Sequence, residues 1–309
     1  MKITILTENT VSRRGLLAEH GLSVLIEAGN RRILFDTGQS GVYLHNAQKL
    51  GISLEGLDGI VLSHGHYDHA GGLPEFPAAA DCPVFLSEKA LEDKWCLEKN
   101  GGPARCIGIP WREESGDGQI PGRLTFTAEK EEIFPDIYVL GGITSTVPEE
   151  AARDNLFRIR RDGQFIPDRM EDEQLLILRT ARGLAVFAGC AHAGILSCLE
   201  KVRTSFPGEK CFFLLAGMHL RGCGEEQVNA VIDGLKQYGF SILIPLHCTG
   251  TLATARMRMA FGRSCLNGGS RKKLYSSRKK RQKTGPEDEK ETGPGAQGNM
   301  IHIQTEVDT

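Results

Sequence analysis

What is missing bounds this chain first. No two of its nine cysteines stand as Cys-x-x-Cys, and the count is odd. That argues against a disulfide framework and fits reduced thiols in a cytoplasm. Net charge is small, −2 over 309 residues, so no global field favours nucleic acid or an anionic membrane. No apolar run approaches membrane-spanning length. The start, Met1-Lys2-Ile3-Thr4-Ile5-Leu6-Thr7-Glu8, is too short and too soon acidic for a signal peptide. The expectation is a cytoplasmic chain with a small-molecule substrate, no membrane association and no nucleic-acid partner. Its oligomeric state is not legible. Three common catalytic devices are also missing: there is no Gly-x-Ser-x-Gly elbow, no Walker loop and no dinucleotide fingerprint in a strand–helix setting.

What is there is concentrated in one stretch, Ser63-His64-Gly65-His66-Tyr67-Asp68-His69. Four potential metal ligands fall within six positions, after the apolar run Gly59-Ile60-Val61-Leu62, which reads as a buried strand. Imidazole and carboxylate suit zinc, iron and manganese, and a catalytic site keeps one coordination position open. His64 and His66, two apart, can share one ion. Asp68 and His69, further round the turn, can face a second.

His-x-His-x-Asp-His after an apolar strand resembles the signature of the metallo-β-lactamase superfamily, and Ile33-Leu34-Phe35-Asp36-Thr37-Gly38 resembles its first motif. Five further stretches resemble one branch: Ala18–Ser23, Asp172-Glu173-Gln174, Gly189–Ile195, Gly217–Leu220 and Leu246–Gly250. That branch is named for the archaeal dihydropterin–ribofuranosylaminobenzene phosphate synthase of the methanopterin pathway. The resemblance runs from residue 1 to about Leu274 and implies an αββα sandwich of two mixed sheets with helices outside, where periodicity alone gives α/β or α+β. It also implies two divalent ions, zinc first with iron or manganese as alternatives. The first is assigned to His64, His66 and His192, and the second to Asp68, His69 and His247. Asp68 is also assigned a proton-accepting role. The superfamily's bridging Asp has no obvious counterpart: between His192 and His247 the one Asp is Asp233, in mid-helix, and His219 stands at a strand end. His219 is therefore read as a ligand or as a contact to substrate or water, and Asp172 as a source of the missing carboxylate.

In order, strands are expected at Lys2–Leu6, Ser23–Glu27, Arg32–Phe35, Pro83–Leu86 and Ile137–Leu140. Further strands are expected at Leu175–Thr180, Leu184–Ala188, Phe212–Ala216 and Ser241–Pro245. Helices are expected at Val42–Leu50, Glu88–Leu97, Gly194–Ser205, Gly224–Tyr238 and Ala253–Phe261. Apolar strands repeatedly end in a ligand-type residue: Asp36, His64, His192, His219 and His247. Asp36 reads either as a helix or turn cap or, as the resemblance implies, as a carboxylate that orients the His loop. Glu19 and His20 read either as a solvated turn or as the edge of the site. Residues 98–154 lack sustained period and read as a lid or substrate wall, with Trp95, Trp111 and Arg112 able to hold a flat heterocycle or a phosphate, although packing is the commoner fate. Cys190 and Cys248 flank proposed ligands. Buried packing is the ordinary fate of such thiols, so Cys190→Ser is expected to keep metal. Thr249 can donate to a phosphate or satisfy local backbone. Residues 1–275 form the expected domain, and 276–309 read as a disordered charged tail.

The function this points to is metal-dependent hydrolysis of a small phosphorylated or heterocyclic compound. The alternatives are a synthase-like transfer releasing pyrophosphate, a nuclease, and a non-catalytic metal-binding protein.

Overall fold

The structure, a computed structural model, describes residues 1–76, 82–98, 101–111, 123–146, 156–266, 268, 274–275 and 303–304. The strands of the first half are β1 (Lys2–Thr7), β2 (Ser23–Ala28), β3 (Arg31–Phe35), β4 (Gly59–Val61), β5 (Pro83–Leu86), β6 (Lys94–Cys96), β7 (Arg105–Cys106), β8 (Arg123–Phe126), β9 (Lys130–Phe134) and β10 (Ile137–Leu140). Those of the second half are β11 (Phe157–Arg161), β12 (Gln164–Pro167), β13 (Leu175–Thr180), β14 (Gly183–Ala188), β15 (Cys211–Ala216), β16 (Ile242–Pro245), β17 (Leu274–Tyr275) and β18 (Ile303–Gln304). The helices are α1 (Val42–Lys49), α2 (Tyr67–Ala70), α3 (Ile195–Ser205), α4 (Glu225–Lys236) and α5 (Thr251–Phe261).

Period-two alternation decides the layering, because successive strand side chains face opposite sides of a sheet. Ile3, Ile5, Val24, Ile26, Ile33 and Phe35 point inward from one sheet, against Leu176, Leu178, Ala185, Phe187, Phe213 and Leu215 from the other. The intervening residues face outward. Leu25, Leu34, Ile60 and Val84 pack with Tyr43 and Ala47 of α1. Ile177, Val186 and Leu214 pack with Leu199, Val231 and Met257 of α3, α4 and α5. The result is an αββα sandwich. One sheet has the order β1-β2-β3-β4-β5-β8 and the other β16-β15-β14-β13-β10-β9. A four-stranded sheet, β12-β11-β6-β7, accompanies them, with the short pair β17-β18.

Strand direction places the site. β3, β4 and β5 run parallel, as do β14, β15 and β16, so within each set the C-terminal ends share one edge. Asp36, His64, His192, His219 and His247 all follow those ends, where ligands of open α/β sheets gather.

Three expectations change. The helix read over Glu88–Leu97 is a single 3₁₀ turn, Glu88–Leu91, followed by β6, because Lys94 turns its side chain into the interior while its backbone pairs with β11. The stretch 98–154 is not one covering insertion among the described residues: β8 extends the first sheet, and β9 and β10 the second. Trp95 and Trp111 are structural, Trp95 packing on Phe165 and Arg160, and Trp111 donating from Nε1 to the Ala70 carbonyl at 2.6 Å. Arg112 and nearly all of 276–309 lie outside the described residues.

Candidate metal centre

The His loop leaves β4 and enters the short helix α2. Asp36 anchors it. Its Oδ1 accepts the Ser63 backbone N–H at 2.7 Å, and its Oδ2 accepts the Ser63 hydroxyl at 2.8 Å. The same Oδ2 lies 2.7 Å from His69 Nδ1. Asp36 holds a φ of 58°, and Ala191, His219 and His247 hold 50°, 46° and 53°. Four non-glycine residues in the left-handed region at converging strand ends are the backbone strain that functional sites store.

Two groups of side-chain atoms result. In the first, His64 Nε2 lies 3.0 Å from His66 Nδ1 and 3.3 Å from His192 Nε2. In the second, Asp68 Oδ2 lies 3.3 Å from His247 Nε2 and 3.7 Å from His69 Nε2, and the two histidine nitrogens are 3.1 Å apart. His64, His66, Asp68, His69, His192 and His247 are all buried.

These donors fit divalent cations. Ligands held tetrahedrally about 2.0–2.1 Å from zinc stand roughly 3.3–3.4 Å apart, close to the spacings of both groups. The tautomers agree. His64 Nδ1 faces the Ser63 hydroxyl at 2.9 Å, His69 Nδ1 faces Asp36, and His247 Nδ1 faces Asn9 Oδ1 at 2.9 Å. With those Nδ1 atoms carrying the proton, each Nε2 turns a lone pair inward. His66 Nε2 is buried with no hydrogen-bond partner. One shared proton satisfies a single pair of nitrogens, whereas a cation satisfies three. Burial, with neighbouring histidines, holds His64 and His66 well below the usual imidazole range, so both are neutral as ligation needs. Burial would lower His69 too, but Asp36 and Asp68 push it up to about 9. That point in the site favours a positive charge, whether a proton or a metal. Burial opposes ionisation of Asp68, yet His69 and His247 outweigh it and hold the carboxyl below its usual range.

The stretch Asp172-Glu173-Gln174 ties both ligand loops together. Asp172 Oδ2 accepts the Gly65 N–H at 2.7 Å and its Oδ1 accepts Lys94 Nζ at 2.8 Å. Glu173 accepts the backbone N–H groups of His192 and Ala193 at 2.7 and 3.0 Å. Gln174 donates its amide to the Leu62 carbonyl at 2.8 Å, and its backbone N–H to the Ser63 carbonyl, also at 2.8 Å. Asp172 thus spends one hydrogen bond on each oxygen as a support of the His loop. Asp233 does not replace the missing carboxylate, since it lies on the exposed face of α4 paired with Lys236.

The remaining candidates divide. His20 Nε2 reaches Asp68 Oδ2 at 3.2 Å and its ring stacks on His247 at 5.1 Å, with the side chain 45% exposed, so it forms the site's edge. Glu19 is a turn anchor that accepts the Gln39 and Ser40 N–H groups. His219 sits beside His192, ring centroids 4.7 Å apart. The Thr249 hydroxyl accepts the Met218 N–H at 3.1 Å and donates to the Ala216 carbonyl at 3.3 Å, which takes it away from a phosphate role. Sequence reasoning missed Asn9, Lys94 and Phe157. The Phe157 ring stands 5.3 Å from those of both His66 and His192, an apolar wall on the first group. None of the three carries a local signal, because each reaches the site from a distant segment.

Comparison with known proteins identifies the family. The sequence model of the metallo-β-lactamase superfamily matches residues 17–134. A crystal structure of a metal-dependent hydrolase of the β-lactamase superfamily superposes with a TM-score of 0.72 at 32% identity, covering 86% of this chain and 95% of that one. The chain belongs to the metallo-β-lactamase superfamily. Within it, an uncharacterised protein of Methanocaldococcus jannaschii is 35% identical over 259 residues, 82% of this chain and 93% of the relative. The 7,8-dihydropterin-6-methyl-4-(β-D-ribofuranosyl)-aminobenzene-5′-phosphate synthase of the same organism is 30% identical over 249 residues, 75% of this chain and 82% of that enzyme. This chain is a homologue of that synthase family.

Proposed function

We propose that the chain is a hydrolase that uses two divalent ions, zinc first, to act on a small phosphorylated or heterocyclic compound. The observation that carries this reading is the pair of adjoining ligand groups, His64/His66/His192 and Asp68/His69/His247, each spaced for one cation. When bound, two such ions lower the pKa of a water molecule and polarise a carbonyl or phosphoryl oxygen. The chain's own residues do the rest. Asp68 accepts a proton, and His20, 3.2 Å away and half exposed, offers it a route to solvent. His219, beside His192, is positioned to contact substrate or the departing group. Phe157 keeps water from one side of the first group. A cleft of about 500 Å³ beside His247, lined in part by Arg221, Arg258 and Glu8, supports a substrate with an anionic group.

The second reading, condensation of a pterin diphosphate with an arylamine and loss of pyrophosphate, is favoured by the 30% identity to the synthase over 82% of that enzyme. Both readings need stabilisation of charge on oxygen. The test supplies metal-loaded protein with phosphodiesters, cyclic phosphates and a pterin diphosphate, with and without an arylamine. Acceptor-independent hydrolysis supports the first reading. Pyrophosphate release seen only with the acceptor overturns it in favour of the second. No turnover by protein holding two ions defeats both.

A further inference from the structure

A site for two ions in this superfamily is commonly joined by a carboxylate, and no described Asp or Glu takes that place here. Asp172 is bound to Lys94 and Gly65, Glu173 to the His192 loop, and Asp233 to Lys236 on the surface. What stands at the junction is a thiol. Cys190 Sγ is buried and lies 3.1 Å from His69 Nε2. It also lies within 4.8 Å of ligand nitrogens of His64 and His192 in the first group, and of His69 and His247 in the second. No other described cysteine is so placed. Cys248 groups as a candidate ligand with His247 and Cys190 alone, and its sulfur is otherwise engaged: it accepts the His219 N–H at 3.2 Å, donates to the Cys190 carbonyl at 3.7 Å, and hydrogen-bonds the side chains of Cys190 and His219.

The local backbone holds the thiol there. Cys190 leaves the end of β14 and precedes Ala191, whose φ is 50°. Gly189, just before it, packs so closely on the His loop that an added Cβ would lie 2.1 Å from Ser63 Oγ. Glu173 fixes the next two N–H groups, of His192 and Ala193. The sulfur is thus set between the ligand groups by contacts on both sides of it in sequence.

From this placement we infer that Cys190 is a metal ligand, its thiolate shared by the two ions in the place of the bridging carboxylate. On binding, the S–H bond would break with its electron pair left on sulfur, that pair and a second sulfur lone pair would each serve one ion, and the proton would leave to solvent. A soft anionic bridge favours zinc over the harder cations magnesium and manganese. This replaces the expectation that Cys190 merely packs beside the site. It rests on the two-ion reading, and the experiment separates the two.

Purified protein is stripped with a chelator, reloaded with zinc, and its metal content measured. X-ray absorption at the zinc edge then counts sulfur neighbours. The expected result is two zinc ions per chain, each with one sulfur at about 2.3 Å. Cys190→Ser loses the sulfur and falls from two ions to one. Cys190→Asp restores two ions without sulfur, and Cys248→Ser keeps both the ions and the sulfur. Cobalt-loaded wild type shows a sulfur-to-metal charge-transfer band that Cys190→Ser lacks. Two bound zinc ions with no sulfur, or with half a sulfur per ion as a terminal ligand gives, overturn the shared thiolate and leave the two-ion reading standing. Fewer than two ions in the wild type overturns both. The wild-type spectrum decides the matter even if Cys190→Ser does not fold.

Discussion

Replacing Lys94 with Met should destabilise the chain and loosen its metal site together. Lys94 Nζ donates at 2.8 Å to both Asp168 and Asp172, with the three side chains 1%, 2% and 0% exposed. Met keeps the length and unbranched shape of the side chain, so the volume lost is small. What is lost is the one cation that, among the described residues, bonds these two buried carboxylates, which would keep one backbone N–H each, from Met170 to Asp168 and from Gly65 to Asp172. Removing one partner from a buried ion pair costs about 3–5 kcal/mol, a large share of the roughly 5–15 kcal/mol that holds a domain folded. The assay is urea unfolding of chelator-treated protein, compared with the Lys94→Met/Asp168→Asn double variant. The double variant should recover part of the loss, because one unpaired charge is gone. Asp172 also holds Gly65 between His64 and His66, so zinc affinity measured by competition titration should fall about 10–100-fold in Lys94→Met. A stability loss below about 1 kcal/mol, the range of an exposed pair, with unchanged zinc affinity, would refute the account of this network as a buried support for the His loop.

Three further outcomes are expected. His66→Ala removes a ligand atom from the first group and should lose bound metal while its circular dichroism spectrum stays native; full metal content would sink the assignment. Asn9→Ala frees the Nδ1 of His247 and should weaken one of two zinc affinities about 10–100-fold, and a titration indistinguishable from wild type would show that His247 needs no such support. Gly189→Ala places a Cβ 2.1 Å from Ser63 Oγ, so the Asp36–Ser63–His69 bonds must break or the strands part; a thermal melt unchanged from wild type would show that this close approach is not required.

The regular strands were legible because each carries its own evidence. β13, β14 and β15 are short apolar runs bounded by glycine-bearing turns, and α3 and α4 repeat apolar residues at helical spacing. The His loop is legible for the same reason: four potential ligands within six positions leave few other uses. β6 was read as helix because its residues, Lys94-Trp95-Cys96, have no strand period, and only pairing with β11 and β7 makes it a strand. β9, β11 and β12 are likewise not visible, since partly exposed strands of four or five residues show too few repeats to register.

By itself the sequence determined which chemistry gathers at the strand ends. Imidazole, carboxylate and thiol are properties of side chains, and local period places them after buried strands. Tertiary structure alone decided what each group does there. Asp172, Glu173 and Gln174 are adjacent in sequence, yet they bind Lys94 and Gly65, the His192 loop, and the carbonyls before the His loop. Asn9 meets His247 across 238 positions, and Cys190 meets His69 across 121. Period tells which face a side chain takes, whereas its partner depends on how two sheets pack, and that packing is fixed by the whole buried core.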